Sequence, residues 1–113
     1  MVSEISWEDF QSIDIRVGTI KQVDDFPKAR KPAYQLYIDF GEDIGILKSS
    51  AQITYHYSKQ DLIGKQVVAV VNFPKKQIAN FMSECLVTGF ADQEGNIILT
   101  TVAGQVPNGS KLI

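Results

Sequence analysis

Apolar and polar residues change places along this chain at a period of two far more often than at a helical period. Ile13, Ile15 and Val17 alternate as a half-buried strand does, and after Gly18 the phase slips, because the next apolar residues are Ile20 and Val23. A glycine at a phase slip predicts a bulge there and a bent first strand. From Ala33 to Phe40 the alternation is clean: Tyr34, Leu36, Ile38 and Phe40 share one face, and Gln35, Tyr37 and Asp39 the other. Gly41-Glu42-Asp43 reads as a turn and Ile44 to Lys48 as the return strand. Val67 to Val71 is a near-continuous apolar run, as expected of a fully buried strand. Cys85 to Phe90 and Ile97 to Val102 are two further strands around the turn Asp92-Gln93-Glu94-Gly95-Asn96. Val106 to Ser110 forms a last turn before the apolar end Leu112-Ile113.

Two segments break the strand pattern. Ser6 followed by Asp9 makes a capping-box pattern, with Ile5 and Phe10 at the hydrophobic-staple positions, and predicts a short N-terminal helix. Ser58 followed by Asp61, with Tyr57 and Leu62 as the staple pair and Gly64 as the exit, predicts a second. The resulting class is all-β: five strands with a short helix between the third and fourth, a short N-terminal helix and a C-terminal β extension. That order is the order of an OB-fold, a small Greek-key barrel, with a split sandwich as the competing arrangement.

The chain has 113 residues, enough for one domain over 1–113. Its formal net charge of −2 argues against nonspecific coating of nucleic acid, which rests on neutralising phosphates, so any RNA contact must use a local basic patch. The single cysteine, Cys85, lies in an apolar run and is expected to be a buried small hydrophobe; no disulfide within the chain is possible. The lone histidine, His56, sits between two tyrosines without the partners that a metal site or nucleophile system needs. The pairs Asp24-Asp25 and Glu42-Asp43 fall at turns, where carboxylates are ordinarily solvated. No glycine-rich phosphate loop is present. The chain is therefore expected to be a binding module, not an enzyme, with no cofactor and no metal. No apolar stretch is long enough to span a bilayer and the N-terminus carries Glu4, Glu8 and Asp9, so the cytoplasm is the expected compartment.

Cations and aromatics gather at the predicted strand ends. Lys28-Ala29-Arg30-Lys31 fills the first long loop, Lys48-Ser49-Ser50 ends the third strand, and Asn72-Phe73-Pro74-Lys75-Lys76 closes the buried fourth strand. Phe81 and Ser83-Glu84 follow. In an OB barrel such loops lie near one ligand face. Lysine and arginine can hold phosphates, and Phe73 or Phe81 could stack bases or pack apolar side chains.

These same residues resemble a known family. Asp14 to Ile20 looks like the opening signature of the tRNA-binding domain family, Phe26 to Lys31 like its Pro-x-Ala-x-Lys loop, and Leu62 to Val67 like its Leu-x-Gly-Lys-x-Val exit. Asn72-Phe73-Pro74 and Ser83 stand at its Asn-x-x and Ser positions, so the resemblance covers roughly 12–113. Phe40 to Ile46, Ser49 to Thr54, and Ser83-Glu84 after Asn72-Phe73-Pro74 are similar to its free-standing CsaA branch. The resemblance implies an OB-fold homodimer. It also implies a chaperone-like role in protein export, binding unfolded precursor polypeptides and the export ATPase, and a tRNA-binding surface that is retained or ancestral. One position departs from the dedicated tRNA binders: where they carry Ser-x-Gly-Met, this chain reads Ser83-Glu84-Cys85-Leu86. An anion at Glu84 suits a polypeptide better than an RNA backbone.

The expected ligand site is therefore Lys28, Arg30, Lys31, Lys48, Ser49, Ser50, Asn72, Phe73, Lys75, Lys76, Phe81, Ser83 and Glu84, with Asn72 and Ser83 hydrogen-bonding the ligand backbone. Trp7, Phe10, Leu112 and Ile113 are expected to cover a dimer interface.

Overall fold

Serine caps start both helices of the computed structural model, which describes residues 2–113. In α1 (Trp7–Gln11) the Asp9 N–H donates to Ser6 Oγ at 3.0 Å and the Ser6 N–H to Asp9 Oδ2 at 3.1 Å. In α2 (Lys59–Leu62) Ser58 and Asp61 repeat the exchange at 3.1 and 3.2 Å. Each cap satisfies two amides that a single helical turn would leave bare. Leu62 is fully buried, and the Gly64 N–H that follows donates to the Ile20 carbonyl at 2.8 Å, so α2 is docked by its last residue.

The strands are β1 (Ile15–Asp25), β2 (Tyr34–Asp39), β3 (Ile46–Ala51), β4 (Gln66–Val70), β5 (Lys76–Ile78), β6 (Phe81–Ser83), β7 (Leu86–Val87), β8 (Gly89–Ala91) and β9 (Ile97–Leu99). Five of them form one antiparallel sheet in the order β3-β2-β1-β4-β7, and β5-β6 and β8-β9 are separate hairpins. The sheet is a nearly closed five-stranded barrel of OB type, as the strand order predicts.

Curvature comes from β1. Its first half pairs with β4 and its second half with β2, Thr19 serving both. The bulge is at Lys21, where the β2 register slips between Ile20 and Gln22, three residues beyond the glycine expected to carry it. Gly18 has a different reason to be glycine. A Cβ there would lie 2.7 Å from both Ile38 Cγ2 and Phe40 Cδ1, so its bareness lets β1 close onto the core. Along β2 and one residue past it the alternation holds: Leu36, Ile38 and Phe40 are buried, and Ile20, Leu62, Val67 and Ala69 pack with them in the barrel core. The C-terminal segment lies along the edge of β1 that β2 leaves free. Lys111 bridges to Arg16, the Val17 N–H donates to the Ser110 carbonyl at 3.0 Å, and the Leu112 N–H to the Ile15 carbonyl at 2.9 Å.

Several boundaries differ from the pattern: β3 runs Ile46–Ala51 and not Ile44 to Lys48, and β9 ends at Leu99 and not at Val102. The run from Cys85 is two strands, because Thr88 turns from β4 to β9: its N–H donates to the Val68 carbonyl and its carbonyl accepts from Thr100. The β5-β6 hairpin has no counterpart in the expected elements. Its turn is Ala79-Asn80, with Ala79 at φ 52, a left-handed backbone that costs a residue with a Cβ about 1–2 kcal/mol. With no glycine or proline at that turn, the sequence carries no punctuation to announce it.

Candidate ligand-binding face

The face is assembled where the 26–33 loop, the outer side of β3 and the β5-β6 hairpin meet. Phe26, Ala33 and Phe81 form a second, small apolar cluster on that side of the sheet. The Phe26 and Phe81 rings lie 5.5 Å apart, Tyr37 meets Phe81 edge-on at 6.4 Å, and Lys48 Nζ stands 5.2 Å above the Phe81 ring. This cluster pins the basic loop against the hairpin. It also sets Phe81 apart from the stacking role expected of it, since the ring is buried and works from beneath the face.

Between loop and hairpin runs a cationic cleft of about 880 Å³, flanked by Arg30, Lys31 and Lys76 and floored by Ser50 and Gln52. Among the described residues no carboxylate lines it, and none of those three cations is in an ion pair. A groove of about 530 Å³ adjoins it, sharing Ser50, Lys76 and Ile78, and its other walls are largely apolar: Phe73, Pro74 and Leu86. Phe73 and Leu86 are about half exposed, so this apolar surface is open to solvent. Lys28 projects into solvent beyond both.

Several of the expected ligand residues have partners inside the chain. Asn72 Oδ1 accepts the Asp14 N–H at 3.0 Å and its Nδ2 donates to the Ser12 carbonyl at 2.8 Å, so this amide pins the start of β1 to the end of β4. Ser83 is buried and its Oγ accepts the Ser50 N–H at 3.1 Å. Ser49 is buried on the inner side of β3. Glu84 closes the barrel: its Oε1 accepts the Lys48 N–H at 2.9 Å and its own N–H donates to the Lys48 carbonyl at 2.7 Å. Lys75 Nζ lies 3.5 Å from the other carboxylate oxygen. The anion at Glu84 is thus held by the Lys48 amide beside Lys75, and it does not line the cleft of Arg30, Lys31 and Lys76. An Asn or a Ser-Glu pair reads the same in sequence whether it serves a ligand or the fold. Conversely, Gln52, Ile78 and Leu86 line the site without having been singled out. Leu86 carried a usable signal, as the one residue of the Cys85-Leu86-Val87 run forced outward by alternation.

Cys85 touches the groove, yet burial first, and the neighbouring Glu84 charge second, push its thiol up to about 12. A thiol so far from ionisation is no nucleophile near neutrality. His56 Nε2 lies 2.7 Å from Asp92 Oδ2, on the tip of the β8-β9 hairpin, and the His56 hydrogen bond is the leading reason the Asp92 carboxyl sits below its ordinary value. At the chain ends, Ile5, Trp7, Phe10 and Ile113 line one shallow depression of about 380 Å³. No helix among the described residues is long and apolar enough to cross a membrane.

The model of the putative tRNA binding domain matches residues 15–111. The chain belongs to that family. Within it, the chain is similar to methionine–tRNA ligases: 36% identical over 109 residues to that of Streptococcus pneumoniae and 32% over 102 residues to that of Methanocaldococcus jannaschii. It spans only 16% and 15% of the length of these proteins, so the family domain is what they share. Two solved structures resemble it from end to end. The chaperone CsaA of Bacillus anthracis superposes with a TM-score of 0.91 at 46% identity, covering 98% of this chain and 100% of its own. The CsaA chaperone protein of Picrophilus torridus superposes at 0.90 with 55% identity, covering 97% and 100%.

Proposed function

We propose that the chain is a non-enzymatic, cytoplasmic binding protein of CsaA type that holds extended segments of unfolded polypeptide. The observation that carries this reading is the open apolar groove of Phe73, Pro74 and Leu86, in a chain similar along its whole length to proteins described as chaperones. Half-exposed aromatic and aliphatic surface gives sequence-tolerant contact, which an unfolded client requires. On this reading the clients are precursor polypeptides on their way to export, the export ATPase is a partner, and the whole chain 1–113 acts as one domain.

The protein is proposed to work as a homodimer joined through Trp7, Phe10, Leu112 and Ile113. All but Phe10 are largely exposed, and such a patch is costly to leave in water. Removing residues 1–11 together with 112–113 is expected to give monomer in light scattering, and a dimer that persists overturns this assignment.

A second reading is favoured by the unpaired cations of the cleft: Arg30, Lys31 and Lys76 would hold tRNA phosphates while Phe73 stacks on an unpaired base. Fluorescence anisotropy separates the two. Labelled bulk tRNA and labelled, carboxymethylated α-lactalbumin, which cannot refold, are titrated at low and physiological salt. The polypeptide reading expects lactalbumin binding that persists at physiological salt and weakens about tenfold in Phe73→Ser. Binding of tRNA with a steep salt slope, lost in Lys75→Glu/Lys76→Glu and unopposed by lactalbumin, would establish the RNA reading instead.

A further inference from the structure

The barrel is not closed along its whole seam. At Lys48 and Ser50 the outer edge of β3 is covered by Ser83 and Glu84, as described above. Beyond Ser50 the covering chain leaves, because β7 turns away to pair with β4. A slot of about 440 Å³ opens there between Ser50–Ile53 on one side and Leu86–Gly89 on the other.

The backbone parity of the two walls is fixed by their other neighbours. Lys48 and Ser50 direct their N–H groups outward to Glu84 and Ser83, so Leu47, Ser49 and Ala51 direct theirs to β2. The same alternation carries Gln52 outward. On the far wall the Thr88 N–H donates to Val68, so Val87, one residue earlier, presents its backbone groups away from β4 and into the slot. Among the described residues no hydrogen bond within the chain reaches the N–H or C=O of Gln52, or satisfies those of Val87. The Ser50 carbonyl accepts only from the Ser49 hydroxyl, at 3.3 Å. These are the unpaired groups of a strand edge, set into a recess instead of standing on open surface. The recess opens beside the cationic cleft: Ser50 and Gln52 line both.

We propose that this slot is a strand-addition site, in which an extended polypeptide segment pairs its backbone with the Ser50–Gln52 edge of β3 and sets acidic side chains against Arg30, Lys31 and Lys76. The inference rests on the polypeptide reading and gives it a recognition mechanism. Backbone pairing is blind to sequence, as a general chaperone needs, and a nucleic acid has no amide ladder to offer. Successive side chains of an added strand point to opposite faces. Those on the outer face, the side of Ser50, meet three cations with no competing carboxylate; those on the inner face meet Val87 and Leu99. Backbone pairing admits any extended segment, and among them one that alternates acidic and apolar residues is the occupant these two faces favour.

The test uses the full chain and a labelled peptide with a Leu-Asp-Leu-Asp-Leu-Asp core. Two versions carry N-methyl groups on alternate amides, one set on the even and one on the odd positions. Strand addition expects unequal losses: the version methylated on the amides that face the β3 edge binds about fivefold or more weakly, and the other, whose amides face only Val87 on the opposite wall, loses less. It also expects hydrogen exchange at the Gln52 amide to slow on binding. In the protein, Gln52→Pro, which deletes that donor, is expected to weaken the peptide at least fivefold, while Gln52→Ala, which keeps it, does not. Equal loss from both methylated peptides with no protection at Gln52, while the parent and carboxymethylated α-lactalbumin still bind, overturns strand addition and leaves the polypeptide reading standing. If neither the parent peptide nor lactalbumin binds, the polypeptide reading falls and this inference falls with it.

Discussion

Where β1 meets β4 and β2, the chain is held by apolar burial; where β3 meets Ser83 and Glu84, it is held by a few polar contacts. On the first side Ile20, Leu36, Ile38, Phe40, Leu62, Val67 and Ala69 are all but sealed from water. On the second, three hydrogen bonds between the β3 backbone and Glu84 and Ser83, backed by a cluster of Phe26, Ala33 and Phe81, carry the closure. The contrast separates two jobs. Burial of that kind gives cooperative stability, whereas a polar clasp is worth on the order of 1 kcal/mol per hydrogen bond and leaves the seam beyond it open. The proposed ligand face lies along the weakly closed side.

The hardest test of that contrast is a pair of truncations. Phe40→Ala empties the centre of the sealed core and is expected to cost about 3–5 kcal/mol in urea denaturation, with ligand affinity unchanged for the fraction that remains folded. Phe81→Ala removes a ring from the small cluster, where a loop and a lysine stem can collapse into the space, and is expected to cost about 2–3 kcal/mol. Its affinity for polypeptide should fall as well, because the loop bearing Arg30 and Lys31 loses its support. Equal costs for the two, or unchanged affinity in Phe81→Ala, would break the division into scaffold and mouth.

A smaller effect is expected at Asn72. Its amide makes two exposed hydrogen bonds across the join of β1 and β4, so Asn72→Ala should lose about 1–2 kcal/mol of stability while polypeptide affinity stays within twofold. A variant that is fully stable but binds poorly would return Asn72 to the ligand.

Most of the scaffold was legible in the chain and the mouth only in part, for one physical reason. Alternation at Leu36, Ile38 and Phe40, and the Ser6 and Ser58 caps, are local patterns whose meaning does not depend on distant partners. The roles of Asn72, Ser83 and Glu84 are fixed by partners 58, 33 and 36 positions away, and nothing local separates a fold contact from a ligand contact. The Lys21 bulge fell outside expectation because glycine at position 18 answers to Phe40 and not to the bend. The exposure of the basic loop and of Phe73 was legible, because cations and an aromatic beside a proline turn keep to the solvent wherever the chain goes.

The smallest expected effect is at the β8-β9 tip, outside the slot. The Asp92 carboxylate accepts from His56, and its Oδ1 also accepts the Glu94 and Asn96 amides at 2.9 Å each. These bonds favour the charged form and hold its carboxyl below the ordinary range, with the His56 contribution the largest. A carboxyl lowered by folding contributes stability that is present above its unfolded value, about 3.9, and is lost as pH falls through the lower folded value. The hairpin tip should therefore hold firm from neutrality down to about pH 4 and loosen below it. Amide exchange at Glu94 and Asn96, corrected for its intrinsic pH dependence, should speed up in that acid window, and Asp92→Ala should show the faster exchange already at pH 6. The sealed core should be indifferent: amides of Ile38 and Val67 are expected to exchange at the same rate in both proteins. Loosening that spreads from the tip to those amides would mean the two sides of the barrel are not separable after all.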